Sequence, residues 1–334
     1  MSDALDWLVP FAACTAEGCR QASAGLALPN LQRLLARLEP TARDSGEAAS
    51  LSPPHERVLA ARLGLAAPDG CLPWAAHEAL QRGHAAAGQA CAWISPCRWQ
   101  VGTDHVRMED PAALELDAAA SRELLAVVRP YFAEDGIALH PATPLRWLAQ
   151  AALFDGLATA SVDRVIGVDL DAWMPRSPGA RLLRRLQSEM QMLLYTHAVS
   201  EARAQQGLPV VNSFWVSGSG SLPPDPPAAA AAGAGADATD PWWAGALPAV
   251  SVPCGLRSAA LRQDWASWAE AWRALDRGPV ARLLAAAERG AAVRLTLCGE
   301  RSAQTFEPAP RSLGRRLAGL FGRAQPLSEL LEAL

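Results

Sequence analysis

The chain contains no lysine: all 30 basic residues are arginine. That excludes a Schiff base, a pyridoxal phosphate anchor and a Walker A phosphate loop, each of which needs a lysine amine. No Cys-x-x-Cys, His-x-x-x-His or His-Glu-x-x-His spacing occurs, so the common zinc signatures are missing. Cys14, Cys19, Cys71, Cys91, Cys97, Cys254 and Cys298 are odd in number and scattered, which argues against a disulfide framework and for reduced thiols. No run approaches 18 uninterrupted apolar residues, so no transmembrane helix is expected. Residues 1–10 carry Asp3 and Asp6 but no basic residue, unlike a secretory signal. The expected location is cytoplasmic. The net charge of −4 gives no dominant basic face, so nucleic acid is not an expected partner.

What remains is a chain of 334 residues that is 50% apolar and 19% charged, enough for a sizeable core. Apolar runs such as residues 6–13, 210–216 and 293–298 read as strands, and they alternate with helical patterns. Leucines 28, 31, 34, 35 and 38 form a helical stripe that Pro40 ends. Ser52 reads as the N-cap of a helix running to Leu63, with Gly64 as its C-terminal cap. Residues 180–206 read as one long helix with Leu182, Leu183, Leu186, Met190, Leu193, Leu194 and His197 on one face. Trp265, Trp268 and Trp272 lie at helical spacing. The expected fold is α/β, with a mainly parallel sheet flanked by helices. Residues 1–220 would form the main body, and the Pro/Ala/Gly-rich stretch 221–241 a mobile loop or linker. Residues 242–307 would complete the same fold, and 308–334 would form an amphipathic tail bearing Arg311, Arg315, Arg316 and Arg323.

Three segments are candidate ligand sites, each with a structural alternative. Ser217 and Gly218 open a Ser/Gly run after a buried strand, where backbone N–H groups can converge on an anion or simply turn the chain. Asp163 and Arg164 follow Ser161, which would cap a helix. Gln187, Gln191 and Tyr195 follow an i, i+4, i+8 seam, with Arg185 and Glu189 able to pair beside it. The next strand, with Asn212, Ser213 and Trp215, could face that seam. A helix packed on a sheet would also produce such a polar seam without a ligand. Asp169-x-Asp171 and Asp104-His105 fit solvated turns as well as they fit a metal or a polar pair.

Residues 28–31, 51–57, 130–136, 184–195 and 211–218 together resemble a family of uncharacterised proteobacterial proteins, described as RpfE-type regulatory proteins or as phosphoglycerate-mutase-like. The second description implies an alkaline-phosphatase-like fold related to the cofactor-independent phosphoglycerate mutases, with two divalent metals and a serine nucleophile. Here the first strand runs into Ala12-Ala13-Cys14 with no Asp-Gly, and Cys298-Gly299-Glu300 stands where an Asp-His is expected. The resemblance therefore implies a degenerate scaffold without its two-metal centre, no bound cofactor or metal, and a regulatory or small-molecule-sensing role. Its partner would be a small phosphorylated metabolite or a protein. An active phosphoryl-transfer enzyme is the competing reading, with Asp163, Asp169, Asp171 and His197 as its scattered donors. An interaction protein acting through the tail is the third.

Overall fold

A computed structural model describes residues 5–177, 179–227, 241–244, 249–308 and 327–334. In chain order the elements are β1 (Leu5–Val9), α1 (Glu17–Ala24), α2 (Pro29–Leu35), β2 (Leu38–Ser45), α3 (Pro54–Leu63), α4 (Trp74–Gln81), β3 (Ala90–Cys97), β4 (Trp99–Val101) and β5 (Val106–Met108). There follow α5 (Ala118–Glu134), β6 (Ala138–Thr143), β7 (Arg146–Gln150), α6 (Val162–Val165), α7 (Ala180–Tyr195), α8 (Ala198–Gln205), β8 (Ser213–Ser221) and β9 (Val250–Ser251). The last are α9 (Arg257–Leu261), α10 (Trp265–Leu275), α11 (Ala281–Glu288), β10 (Val293–Cys298), β11 (Ser302–Pro308) and α12 (Leu327–Glu332). The expected α/β class is present. The contacts divide the chain into two units, one of Met1–Ala48, Pro54–Val58 and Ala246–Leu334, the other of Ala49–Pro53 and Leu59–Gly245. These borders differ from the expected ones at 220 and 241. Most of the expected linker (228–240) and of the arginine-rich tail (309–326) lies outside the described residues.

The first unit is built on a mixed sheet ordered β2-β11-β10-β1-β9. Parallel pairing is confined to β1 with its neighbours β10 and β9, while β11 runs antiparallel to both β10 and β2. Its core joins Leu31 and Leu34 of α2, Trp268 and Trp272 of α10, Leu283 and Leu284 of α11, and Leu295 and Leu297 of β10. The expected helix over 28–38 stops at Leu35, and Leu38 opens β2. Pro40 sits in β2 rather than ending the helix, which the sheet tolerates because β2 is an edge strand.

The second unit contains a four-stranded sheet ordered β6-β7-β3-β8, in which every pair is antiparallel. The expectation of a mainly parallel sheet therefore fails here. Periodicity shows that a segment is a strand and not which neighbour it joins. Ile94, Trp147, Phe214 and Val216 from the sheet pack with Phe132 of α5 and with Leu186 and Met190 of α7. The expected long helix is broken at His197, whose Nδ1 accepts from the Val199 N–H and caps α8. Ser52 does not cap α3; its hydroxyl accepts from the Gly70 N–H instead, and Pro53 occupies the cap position. Gly64 does close α3, at φ +72°, and Ser161 does cap α6 through the Asp163 N–H.

The N-terminus of α2 has no cap from its own flank. The carboxylate of Asp276, only 2% exposed, supplies one from 245 residues away: Oδ1 accepts from the Leu31 N–H at 2.8 Å and Oδ2 from Asn30 Nδ2 at 3.2 Å. An anion at a helix N-terminus is stabilised by the aligned N–H dipoles. Asp276→Ala is expected to lower stability by about 1–3 kcal/mol, because it leaves buried N–H groups unpaired. Asp276→Asn should cost less, since one carbonyl oxygen remains. Urea unfolding midpoints of the two variants check the order.

Candidate functional site

β8 lies at the edge of its sheet, so one row of its backbone groups lacks a strand partner. Helix α7 meets this need with a side chain. Gln187, 5% exposed, donates from Nε2 to the Phe214 carbonyl at 3.1 Å. Its Oε1 is buried and has no hydrogen-bond partner. Such an acceptor costs about 1–3 kcal/mol unless something donates to it.

The same side chain lines a partly open pocket of about 230 Å³, a volume that includes adjoining solvent. Leu183 and Arg184 of α7, Trp215 and Val216 of β8, and Met174 form most of its remaining wall. The Trp215 ring is held by its own N–H, which donates to the Ala160 carbonyl at 2.8 Å. Arg184 is exposed, and its guanidinium makes no hydrogen bond or ion pair with the described residues. The site thus joins apolar walls, one buried acceptor and one uncommitted cation.

The structure brings Gln187 and Trp215 together at this cavity, and the other expected residues lie elsewhere. Arg185 pairs with Asp135 and lies 3.8 Å from Glu189 on an open helix face, where ion pairs contribute about 0–1 kcal/mol. Gln191 is half-buried, and Tyr195 is 83% exposed. Asn212 grips the backbone of Trp99, accepting from its N–H at 2.7 Å and donating to its carbonyl at 2.9 Å. Ser213 is buried with an unpartnered hydroxyl, and it lines a separate cavity of about 250 Å³ beside Phe214 and Met190. Asp163 accepts from the Trp243 indole at 2.9 Å. Arg164 donates to the Ser50 carbonyl at 2.8 Å and lies 5.0 Å over the Trp173 ring.

Ser217 and Gly218 lie within β8 rather than in a loop. Gly218 has φ +62°, and a Cβ there would come within 2.8 Å of the Trp93 ring, so its glycine makes room for a tryptophan. That ring belongs to a cluster the sequence did not announce. Trp93 and Trp74 each stack near Trp242, at 4.9 and 4.4 Å, and the buried Arg146 lies 4.8 Å over Trp93 while pairing with Glu78 at 3.3 Å. The indole N–H groups of Trp74 and Trp93 have no acceptor. Arg184 was also missed, because helical periodicity does not distinguish which of two adjacent arginines finds a carboxylate.

In the first unit, the chain leaves β1 through Phe11, at φ +56°. Trp268 donates its indole N–H to the Phe11 carbonyl at 2.9 Å, and Trp272 donates to that of Ala12 at 3.2 Å. Glu300, just beyond β10, accepts from the Thr15 N–H at 2.8 Å and from its hydroxyl. Among the described residues no group of three His, Cys, Asp or Glu side chains could hold a metal ion. With alanines at positions 12 and 13 and Glu300 engaged by Thr15, this donor set does not fit two-metal phosphoryl chemistry.

No family model matches the chain, and no curated protein matches it. Among solved structures the chain is similar to the cofactor-independent phosphoglycerate mutase from Thermoplasma acidophilum DSM 1728. The identity is 13%, covering 100% of this chain and 99% of that one, with a TM-score of 0.38. It is also similar to the PH0037 protein from Pyrococcus horikoshii, at 12% identity over 92% of this chain and 88% of that one, with a TM-score of 0.41. Both scores lie below 0.5, and the fold is described by its own topology.

Gly218→Ala is expected to destabilise the protein by about 1–3 kcal/mol, through the left-handed φ and the displaced Trp93 ring. Gly136→Ala has a positive φ but open space around it, so it should cost less. Thermal or urea unfolding of the pair separates the packing cost from the backbone cost.

Proposed function

We propose that this is a non-catalytic regulatory or small-molecule-sensing protein on a degenerate phosphomutase-like scaffold, and that its ligand binds in the Gln187 cavity. The observation that carries this reading is the buried, unpartnered Oε1 of Gln187, a residue that lines the cavity together with Arg184, whose guanidinium is uncommitted among the described residues. A ligand N–H or O–H would satisfy the amide oxygen. A phosphate or carboxylate would pair with Arg184, and a planar or branched apolar body would pack between Leu183, Trp215 and Val216. The ligand class we propose is a small phosphorylated metabolite. The seven free cysteines accord with a reducing, cytoplasmic setting.

The sensing reading predicts binding without turnover. Small phosphorylated and carboxylated metabolites should be screened by thermal unfolding, where a ligand at 100 times its Kd adds about 2.7 kcal/mol. Arg184→Ala should weaken the best ligand about tenfold or more, a loss of about 1.4 kcal/mol. Gln187→Leu should weaken it too, at a stability cost of about 1–3 kcal/mol from the unpaired Phe214 carbonyl, and phosphorus NMR should recover the ligand unchanged. A ligand that binds both variants as tightly as the wild type would overturn the site. Conversion of the ligand would restore the phosphoryl-transfer reading.

A further inference from the structure

Two fully buried tryptophans of the second unit meet a third that is only half-buried. Trp74 opens α4 and is 1% exposed, and Trp93 lies in the middle of β3 and is 2% exposed. The ring of Trp242 touches both, with centroids 4.4 Å from Trp74 and 4.9 Å from Trp93 and planes tilted by 44° and 49°. The buried pair is firmly held. Arg146, itself buried and paired with Glu78 of α4, lies 4.8 Å over the Trp93 ring. Gly218 leaves the room the pair needs, since a Cβ there would come 2.8 Å from the Trp93 ring and 3.3 Å from the Trp74 Cβ. Trp242 is placed differently. Its neighbour Trp243 anchors the turn, being 1% exposed and donating its indole N–H to Asp163. The place of Trp242 in the cluster rests on ring contacts.

This arrangement leaves one requirement unmet. The indole N–H groups of Trp74 and Trp93 are buried and have no acceptor. Trp242 cannot supply one, because an indole carries a donor and no acceptor. A buried donor without a partner calls for a water, an ion or a ligand group that accepts from it. Here two such donors lie on rings that already stack against a third ring.

We propose that Trp242 is a resident plug in an aromatic slot, and that the ligand of this slot is a planar bicyclic heteroaromatic ring with acceptor nitrogens, of the purine-base type. Rotation of the Trp242 side chain out of the slot frees a space the size of an indole, while Trp243 keeps the turn in place. A purine base matches that space in size and flatness and stacks on the same two rings. Its ring nitrogens are acceptors, so it can take the N–H groups that Trp242 leaves unpaired. Trp242 holds the slot in the free protein because it is tethered to it. Its residence lowers the apparent affinity for the base by the fraction of time the slot is open. The slot shares no residue with the Gln187 pocket and stands independently of that reading.

The test titrates the intact protein with purine, and with indole as a control of the same shape that lacks an acceptor nitrogen. The assigned indole N–H signals of Trp74, Trp93 and Trp215 are followed by NMR. The expected result is saturable purine binding that moves the Trp74 and Trp93 signals downfield, as a new hydrogen bond does. Indole should bind at least about tenfold more weakly, because it leaves both donors unpaired. Trp242→Ala should bind purine about tenfold more tightly, since the plug no longer competes. The proposal is overturned if purine leaves both signals unmoved up to its solubility, or if purine and indole bind equally well. Weaker purine binding by a folded Trp242→Ala also overturns it, because that ring would then be part of the site and not its plug. Movement of the Trp215 signal alone would place purine in the Gln187 pocket and count against the slot. The purine and indole titrations of the wild type decide the matter even if the variant does not fold.

Discussion

Two indole N–H groups one helical turn apart set the most constrained part of the structure. Trp268 and Trp272 donate to the carbonyls of Phe11 and Ala12, where the chain leaves its central parallel strand in a left-handed conformation. Each of those carbonyls, left buried and unpaired, would cost about 1–3 kcal/mol. Once they are satisfied, the following residues have little freedom. Thr15 is delivered to Glu300, so the ends of β1 and β10 are joined by hydrogen bonds within the protein. This is the region where an open α/β sheet ordinarily places its ligand crevice. Here Thr15 and Glu300 are spent on one another.

The same demand shapes the second unit with a different outcome. An edge strand leaves carbonyls without partners, and β8 obtains a donor for Phe214 from the Gln187 amide. An amide has two ends. Its nitrogen is committed to the strand, which leaves the oxygen buried and without a donor beside a cavity. Asn212 faces the same problem and resolves it completely, since both ends of its amide find the Trp99 backbone. The difference between a structural amide and one available to a ligand is therefore a matter of what lies within about 3 Å of each end.

What was legible in the sequence is what local chemistry determines. The Trp265/Trp268/Trp272 spacing, the Gly64 and Ser161 caps and the apolar face of α7 all depend on neighbours within a few residues, and all are present. Gln187 and Trp215 could be picked out because a polar seam on an amphipathic helix must meet something. Long-range pairing was not legible. The antiparallel sheet, the Asp276 cap on α2 and the placement of Pro40 in an edge strand each join residues far apart in the chain. The Ser/Gly run after Trp215 misled for a related reason. Glycine there serves a close approach by Trp93, which only the tertiary structure reveals.

The central claim is that the described residues at the strand ends of the first unit offer no two-metal centre. Mass spectrometry of the metal content tests it most directly, on protein incubated with manganese, magnesium and zinc and then freed of unbound ions. The account predicts no stoichiometric metal. Two equivalents of manganese or zinc per chain would contradict it and return metal-assisted phosphoryl transfer to first place.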